Sequence, residues 1–191
     1  STVFERGAAW AWGDGQAPWW SIWIAVLSYG AYFYANFSGY SDVAIGLARL
    51  WGFKLKENFA NPFLKTNPQA FWASWHMSLT RWAQRNIFVP AGGMRANRQY
   101  VAIFLTIMVI ALWHGLDWTL VIFGLYHASI VIGHRLLESR NRRLGVKPST
   151  NPFVKAGKMF AVFAYVSLSI PLFHLTTQQI VPFYLSLLPM P

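Results

Sequence analysis

The chain has 191 residues, 55% of them hydrophobic and only 12% charged, with a formal net charge of +10. A soluble domain carries about 25% charged residues, so this composition argues for an integral membrane protein, and eleven Trp, eight Tyr and fifteen Phe supply the aromatic excess found where helices meet lipid headgroups. The Lys and Arg residues stand in blocks between apolar runs, which reads as loops facing the cytoplasm and anionic lipid and against nucleic acid binding; with no Cys, a disulfide framework and a thiolate metal site are excluded.

In chain order, Ser1 is not an initiating Met, and the first eighteen residues lack the basic and apolar regions of a signal peptide, so a fragment is expected. Residues 7–18, with Asp14, read as a loop at the membrane surface. Residues 19–37 run nineteen positions without a charge, enough at about 1.5 Å per residue to cross a core of about 30 Å. The small and polar run Ser38-Gly39-Tyr40-Ser41-Asp42 predicts a helix break, with Asp42 capping a second helix over residues 43–51 or packing against a neighbour. Residues 54–67 hold three Lys, one Glu, three Asn and one Pro and predict a surface loop.

Asn67-Pro68 is a helix start signal. Over residues 68–88, Phe71, Trp72, Trp75, His76, Leu79 and Trp82 recur at spacings of three and four, which predicts one amphipathic helix lying at the interface or re-entering it. Pro90, Gly92 and Gly93 end it, and residues 95–98 form a basic turn. Residues 99–113 would make a helix of only about 22 Å, whereas an unbroken helix over residues 99–134 would reach about 54 Å. A break at Leu112-Trp113-His114-Gly115 resolves the mismatch, with Asp117 either capping the helix that follows or pairing with His114. Broken backbone at membrane depth is tolerated where it lines a cavity, so His114 is expected in a cavity wall, and an ionisable group there is the first functional candidate. Residues 135–158 carry seven Lys and Arg, a cytoplasmic signal shared with residues 81–98. Residues 159–173 predict a last span and residues 181–188 a short apolar segment. The fold expected is all-α: a polytopic membrane protein with short and broken helices around a polar cavity, in one domain over residues 1–191, with spans or half-spans at 19–37, 99–113, 117–134 and 159–173.

Several motifs resemble one family when taken together. Phe71-Trp72 and Trp75-His76-Met77-Ser78-Leu79, then Trp82, Pro90-Ala91-Gly92-Gly93, Leu112-Trp113-His114-Gly115 and Gly124-Leu125-Tyr126-His127 resemble the membrane-bound O-acyltransferases. The bacterial branch typified by alginate O-acetyltransferase is the best match, and residues 40–47 and Asn58-Phe59 also fit it. The chain departs from that branch at Ala73-Ser74, where a basic pair is usual, at Gln84-Arg85-Asn86, and at Asp117, where a small residue is usual. Members of the family are longer, so the chain is expected to be the C-terminal part of one.

The resemblance implies transfer of an acyl group, acetyl in that branch, from a thioester co-substrate on acyl-CoA or an acyl carrier protein to a hydroxyl of a cell-surface polysaccharide or of a partner protein. It implies no bound cofactor or metal, a multi-pass place in the bacterial inner membrane, lipid as surroundings, a cytoplasmic donor, and an extracytoplasmic acetyltransferase as partner. An alcohol is a poor nucleophile until its proton is taken, so His114 is expected as the base. His76, at the family's other histidine position, would orient or polarise the thioester. Trp113, Trp75, Ser78, Asp117 and Asp42 are expected as supporting residues, while His127, His134 and His174 read as packing or interfacial. The rival classes are a membrane protein that binds haem or metal through His pairs, for which His at i and i+4 on one helix is missing, and a transporter fragment with broken helices.

Overall fold

The computed structural model describes residues 18–189. Most of the surface loop expected over residues 7–18 therefore lies outside the described residues. Seven α-helices follow one another, with no strand among the described residues: α1 Trp19–Leu50, α2 Pro68–Ser74, α3 Met77–Ala83, α4 Gln99–Trp113, α5 Trp118–Arg143, α6 Pro152–Ser169 and α7 Thr177–Leu185. A 3-10 turn at Pro62–Leu64 precedes α2, a π-helical turn at Gln84–Phe88 prolongs α3, and another 3-10 turn at Ile170–Phe173 prolongs α6. Two stretches, Trp118–Arg143 and Pro152–Phe173, are long and apolar enough to cross a membrane.

The expected break at residues 38–42 does not occur. Helix α1 runs unbroken for 32 residues, and Asp42 stands exposed within it, not at a cap. Ser38 folds its hydroxyl back onto Ala35 O at 3.3 Å, a local bond that a helix accommodates. A single glycine such as Gly39 costs only about 1 kcal/mol, too little to end a helix with apolar residues on both sides.

Residues 68–88 differ from expectation in the opposite sense. Asn67 caps α2 as its sequence predicts, its Oδ1 accepting Ala70 N–H at 2.7 Å, but the helix stops at Ser74 and restarts at Met77. Ser74 shares its hydroxyl between Ala70 O and Phe71 O, and Thr80 reaches Trp72 O and Trp75 O, both at 3.1 Å. These hydroxyls satisfy carbonyls that the interrupted helix leaves open.

The break at His114 is present: α4 ends at Trp113 and α5 begins at Trp118. Asp117 occupies the cap position of α5 with extended backbone, yet its carboxylate makes no cap bond; its main-chain carbonyl instead accepts Leu120 N–H and Val121 N–H. Beyond the expected limits, α5 continues to Arg143 and α6 begins at Pro152, so the basic segment is folded largely into helix ends.

The core falls into neighbouring clusters, one rich in aromatic side chains and one mainly aliphatic. Phe71 and Trp75, buried beneath α2, pack with Val162 and Val166 of α6 and with Phe33, Tyr34 and Phe37 of α1. Ile22, Val26 and Tyr29 of α1 pack against Ile170, Leu175 and Phe183. Helices α4 and α5 form an antiparallel hairpin, the most extensive helix pairing among the described residues. Gly124 permits it, because a Cβ there would stand 2.7 Å from Met108 Sδ and 3.0 Å from Ala111 Cβ.

In that hairpin, Arg135 Nε donates to Gln99 Oε1 at 3.0 Å, which puts the basic turn before α4 and the basic end of α5 at one end of the pair. Cysteines placed at Asn97 and Asn141 should therefore share one labelling pattern toward an impermeant thiol reagent in intact cells, both protected if that end is cytoplasmic. Labelling of one and not the other would contradict the arrangement.

Candidate active site

Two helix breaks, one after α2 and one after α4, turn imidazoles into the same space. His76 adopts the left-handed backbone conformation (φ 42°, ψ 53°), which costs a residue with a Cβ about 1–2 kcal/mol. It persists because neighbours fix the turn: Asn58 O accepts Met77 N–H at 2.8 Å and Asn58 Oδ1 accepts Ser78 N–H at 2.9 Å. The His76 ring meets Phe37 edge-on at 5.0 Å, and Ser78 Oγ lies 3.3 Å from its Nδ1. Partial burial, with a smaller contribution from His114, pushes the His76 pKa below the ordinary imidazole value against an opposing backbone hydrogen bond. The ring therefore stays neutral to lower pH than a free imidazole.

His114 follows the last turn of α4, and its Nδ1 lies 2.8 Å from Ile110 O. A carbonyl only accepts, so Nδ1 carries the hydrogen, and in the neutral ring Nε2 keeps the lone pair. Phe173 meets the ring edge-on at 5.2 Å and Trp113 at 5.0 Å. Trp113 itself is largely exposed.

His127 takes a third place. It is fully buried, with Nδ1 2.5 Å from Tyr165 Oη and Nε2 2.9 Å from Ser169 Oγ. Ser169 donates its hydrogen to Val166 O at 2.7 Å, so Ser169 accepts from Nε2–H and Tyr165 donates to Nδ1. Tyr165 Oη in turn accepts Trp72 Nε1–H at 3.1 Å. Both ring nitrogens of His127 are thus occupied in one neutral tautomer, and the network ties α2, α5 and α6 together.

All three imidazoles line one cavity of about 70 Å³ whose walls are mainly aromatic, among them Phe37, Trp72, Trp75 and Phe173. A second, more apolar cavity of about 210 Å³ lies on the far side of Trp72, Ile110 and Phe123, with Gln69 and Thr106 in its wall. The structure therefore brings His76, His114 and Trp75 together. It leaves Asp42 exposed on α1 and Asp117 exposed at the start of α5; no ion pair joins Asp117 to His114 among the described residues. Ser78 is exposed beside His76, outside the cavity wall. Residues passed over in the sequence are Thr80, Tyr165, Ser169 and Phe173. A signal existed for His127, which lies one turn from Phe123 on a single helix face, but none marked Tyr165, which sits in a separate apolar run.

A sequence model of the membrane-bound O-acyltransferase family matches residues 10–175. Over 130 residues the chain is 38% identical to a probable alginate O-acetylase, AlgI, of Azotobacter vinelandii, covering 67% of this chain and 25% of that protein. It is 36% identical over 123 residues to a peptidoglycan O-acetyltransferase of Helicobacter pylori, covering 63% of this chain and 23% of that protein. To a teichoic acid D-alanyltransferase of Bacillus subtilis it is 32% identical over 135 residues, covering 66% of this chain and 34% of that protein. The chain thus spans about a quarter to a third of the length of these curated relatives.

Tyr165→Phe removes the hydroxyl that joins Trp72 to His127 and leaves two polar atoms of a closed core without partners. Each such atom costs about 1–3 kcal/mol, so the variant should melt several degrees below the wild-type protein in the same detergent. An unchanged melting temperature would show that the network contributes nothing to stability.

Proposed function

We propose that this chain, which belongs to the membrane-bound O-acyltransferase family, carries the transfer site of a multi-pass membrane O-acyltransferase, with His114 as its base. The single observation behind this reading is the shared cavity: His76 and His114 reach it from separate helix breaks, and His114 has its Nδ1–H engaged by Ile110 O and its Nε2 lone pair uncommitted. That is the condition a general base needs.

In this reading, His114 Nε2 takes the proton of an acceptor hydroxyl as its oxygen attacks the thioester carbonyl. The C–O bond forms, the C–S bond breaks, and the departing thiolate takes the proton back from His114. His76, neutral because it is partly desolvated, orients or polarises the thioester. Aromatic side chains, Phe37, Trp75 and Phe173 among them, form the wall beside the two rings, while His114 itself is exposed at the edge of the cavity.

The donor is an acyl thioester, on coenzyme A or an acyl carrier protein, approaching from the cytoplasmic side. The acceptor is a hydroxyl of a cell-surface polysaccharide, or an intermediate partner protein outside the membrane, and the acyl group is acetyl. The relatives' names support this class, since they are described as acting on alginate, peptidoglycan and teichoic acid. The whole protein belongs in a bacterial inner membrane under this reading, with α5 and α6 among its spans.

In the complete protein, His114→Ala should lower polysaccharide acylation by about 10²–10⁴-fold, the usual effect of removing a general base, with membrane insertion and protein level unchanged. Base-labile acetate released per inserted protein measures this. Wild-type acylation at equal protein level would refute the catalytic reading of His114.

A further inference from the structure

The turn that carries His76 is gripped from outside by one residue that the transfer reaction itself does not use. Asn58 lies in the loop between α1 and the Pro62–Leu64 turn, twenty positions before Ser78. It holds the turn at two successive amides: its main-chain carbonyl accepts Met77 N–H at 2.8 Å, and its side-chain Oδ1 accepts Ser78 N–H at 2.9 Å. A third bond beside them, Ala60 N–H to Ser74 O at 3.0 Å, lays the loop along the gap between α2 and α3. The grip continues to the imidazole, because Ser78, whose amide Asn58 fixes, places its Oγ 3.3 Å from His76 Nδ1.

Two features make this grip matter. His76 is left-handed at φ 42°, a conformation that a residue with a side chain leaves once its neighbours release it. A return of His76 to αR, together with Trp75, which is extended at φ −105° and ψ 130°, would rejoin α2 and α3 into the single helix that their apolar spacing favours and move the ring from its present wall. Asn58 reaches both amides because its carbonyl and its side-chain oxygen face the same turn; a residue without a side-chain acceptor would hold one and release the other.

We propose that Asn58 is a positioning residue for acyl transfer, holding His76 in its left-handed turn so that the imidazole lines the cavity it shares with His114. This rests on the reading of His76 as part of the transfer site. Asn58 acts through His76 alone, and an oxygen at its side-chain position is what the turn requires.

The test compares base-labile acetate on the cell-surface polysaccharide, per membrane-inserted protein, in cells carrying the complete protein. Asn58→Ala should lower acylation by about 10-fold to 100-fold, the scale of a misplaced catalytic group. Asn58→Asp, which keeps an oxygen for Ser78 N–H, should restore most of it. In the His76→Ala background, Asn58→Ala should lower acylation no further, since residues acting as a unit are not additive. Wild-type acylation by Asn58→Ala, a failed rescue by Asn58→Asp, or a full additional loss in the His76→Ala background would each overturn the proposal. A defective His76→Ala beside a normal Asn58→Ala removes the role of Asn58 only, whereas normal acylation by His76→Ala removes the role of His76 and this proposal with it.

Discussion

A helix that stops inside apolar surroundings leaves N–H and carbonyl groups that nothing nearby satisfies, and the whole arrangement of this chain depends on how two such stops are supplied with partners. At the first, Asn58 takes the amides of Met77 and Ser78 while Thr80 reaches the carbonyls of Trp72 and Trp75. At the second, Asp117 O accepts Leu120 N–H and Val121 N–H, and the His114 ring itself donates to Ile110 O. His114 thus completes the break that displays it. Removing the imidazole takes away both the ring in the cavity wall and the partner of a terminal carbonyl.

Neutral groups orient every imidazole in the cavity. His114 is held by a carbonyl, His76 by a serine hydroxyl and an aromatic edge, and His127 by a tyrosine and a serine. No acidic residue lines the cavity. The ring orientations therefore come from carbonyl, hydroxyl and aromatic partners and not from a carboxylate. His127 illustrates the limit of the same device: with both nitrogens engaged it has become part of the frame, fixing Trp72 between the two cavities.

The legible parts of this fold were those written in backbone chemistry. Asn67-Pro68 announced α2 because both residues act on the chain beside them, and the run Gly115 to Asp117 announced the end of α4 because its predicted length fitted no membrane-crossing helix. Illegible features depended on partners far along the chain. The stop at Trp75-His76 lies within perfect helical spacing and exists because Asn58 and Thr80 satisfy the opened backbone. Conversely, Ser38 to Asp42 has the composition of a break, but among the described residues no distant group hydrogen-bonds to it, and α1 continues through it. His114 and His76 stood out by motif; His127 was set aside as packing, and the bonds that hold it come from Tyr165 and Ser169, 38 and 42 positions later.

The central claim is that His76 and His114 face one another's cavity although 37 intervening residues and two helix breaks separate them. The chain contains no cysteine, so a His76→Cys/His114→Cys pair can be introduced into the complete protein with any other cysteines removed. A short bifunctional thiol reagent should then cross-link that pair efficiently within one molecule in native membranes, while a His76→Cys/His134→Cys pair stays open. Efficient closure of the control pair and none of the first would contradict the shared site.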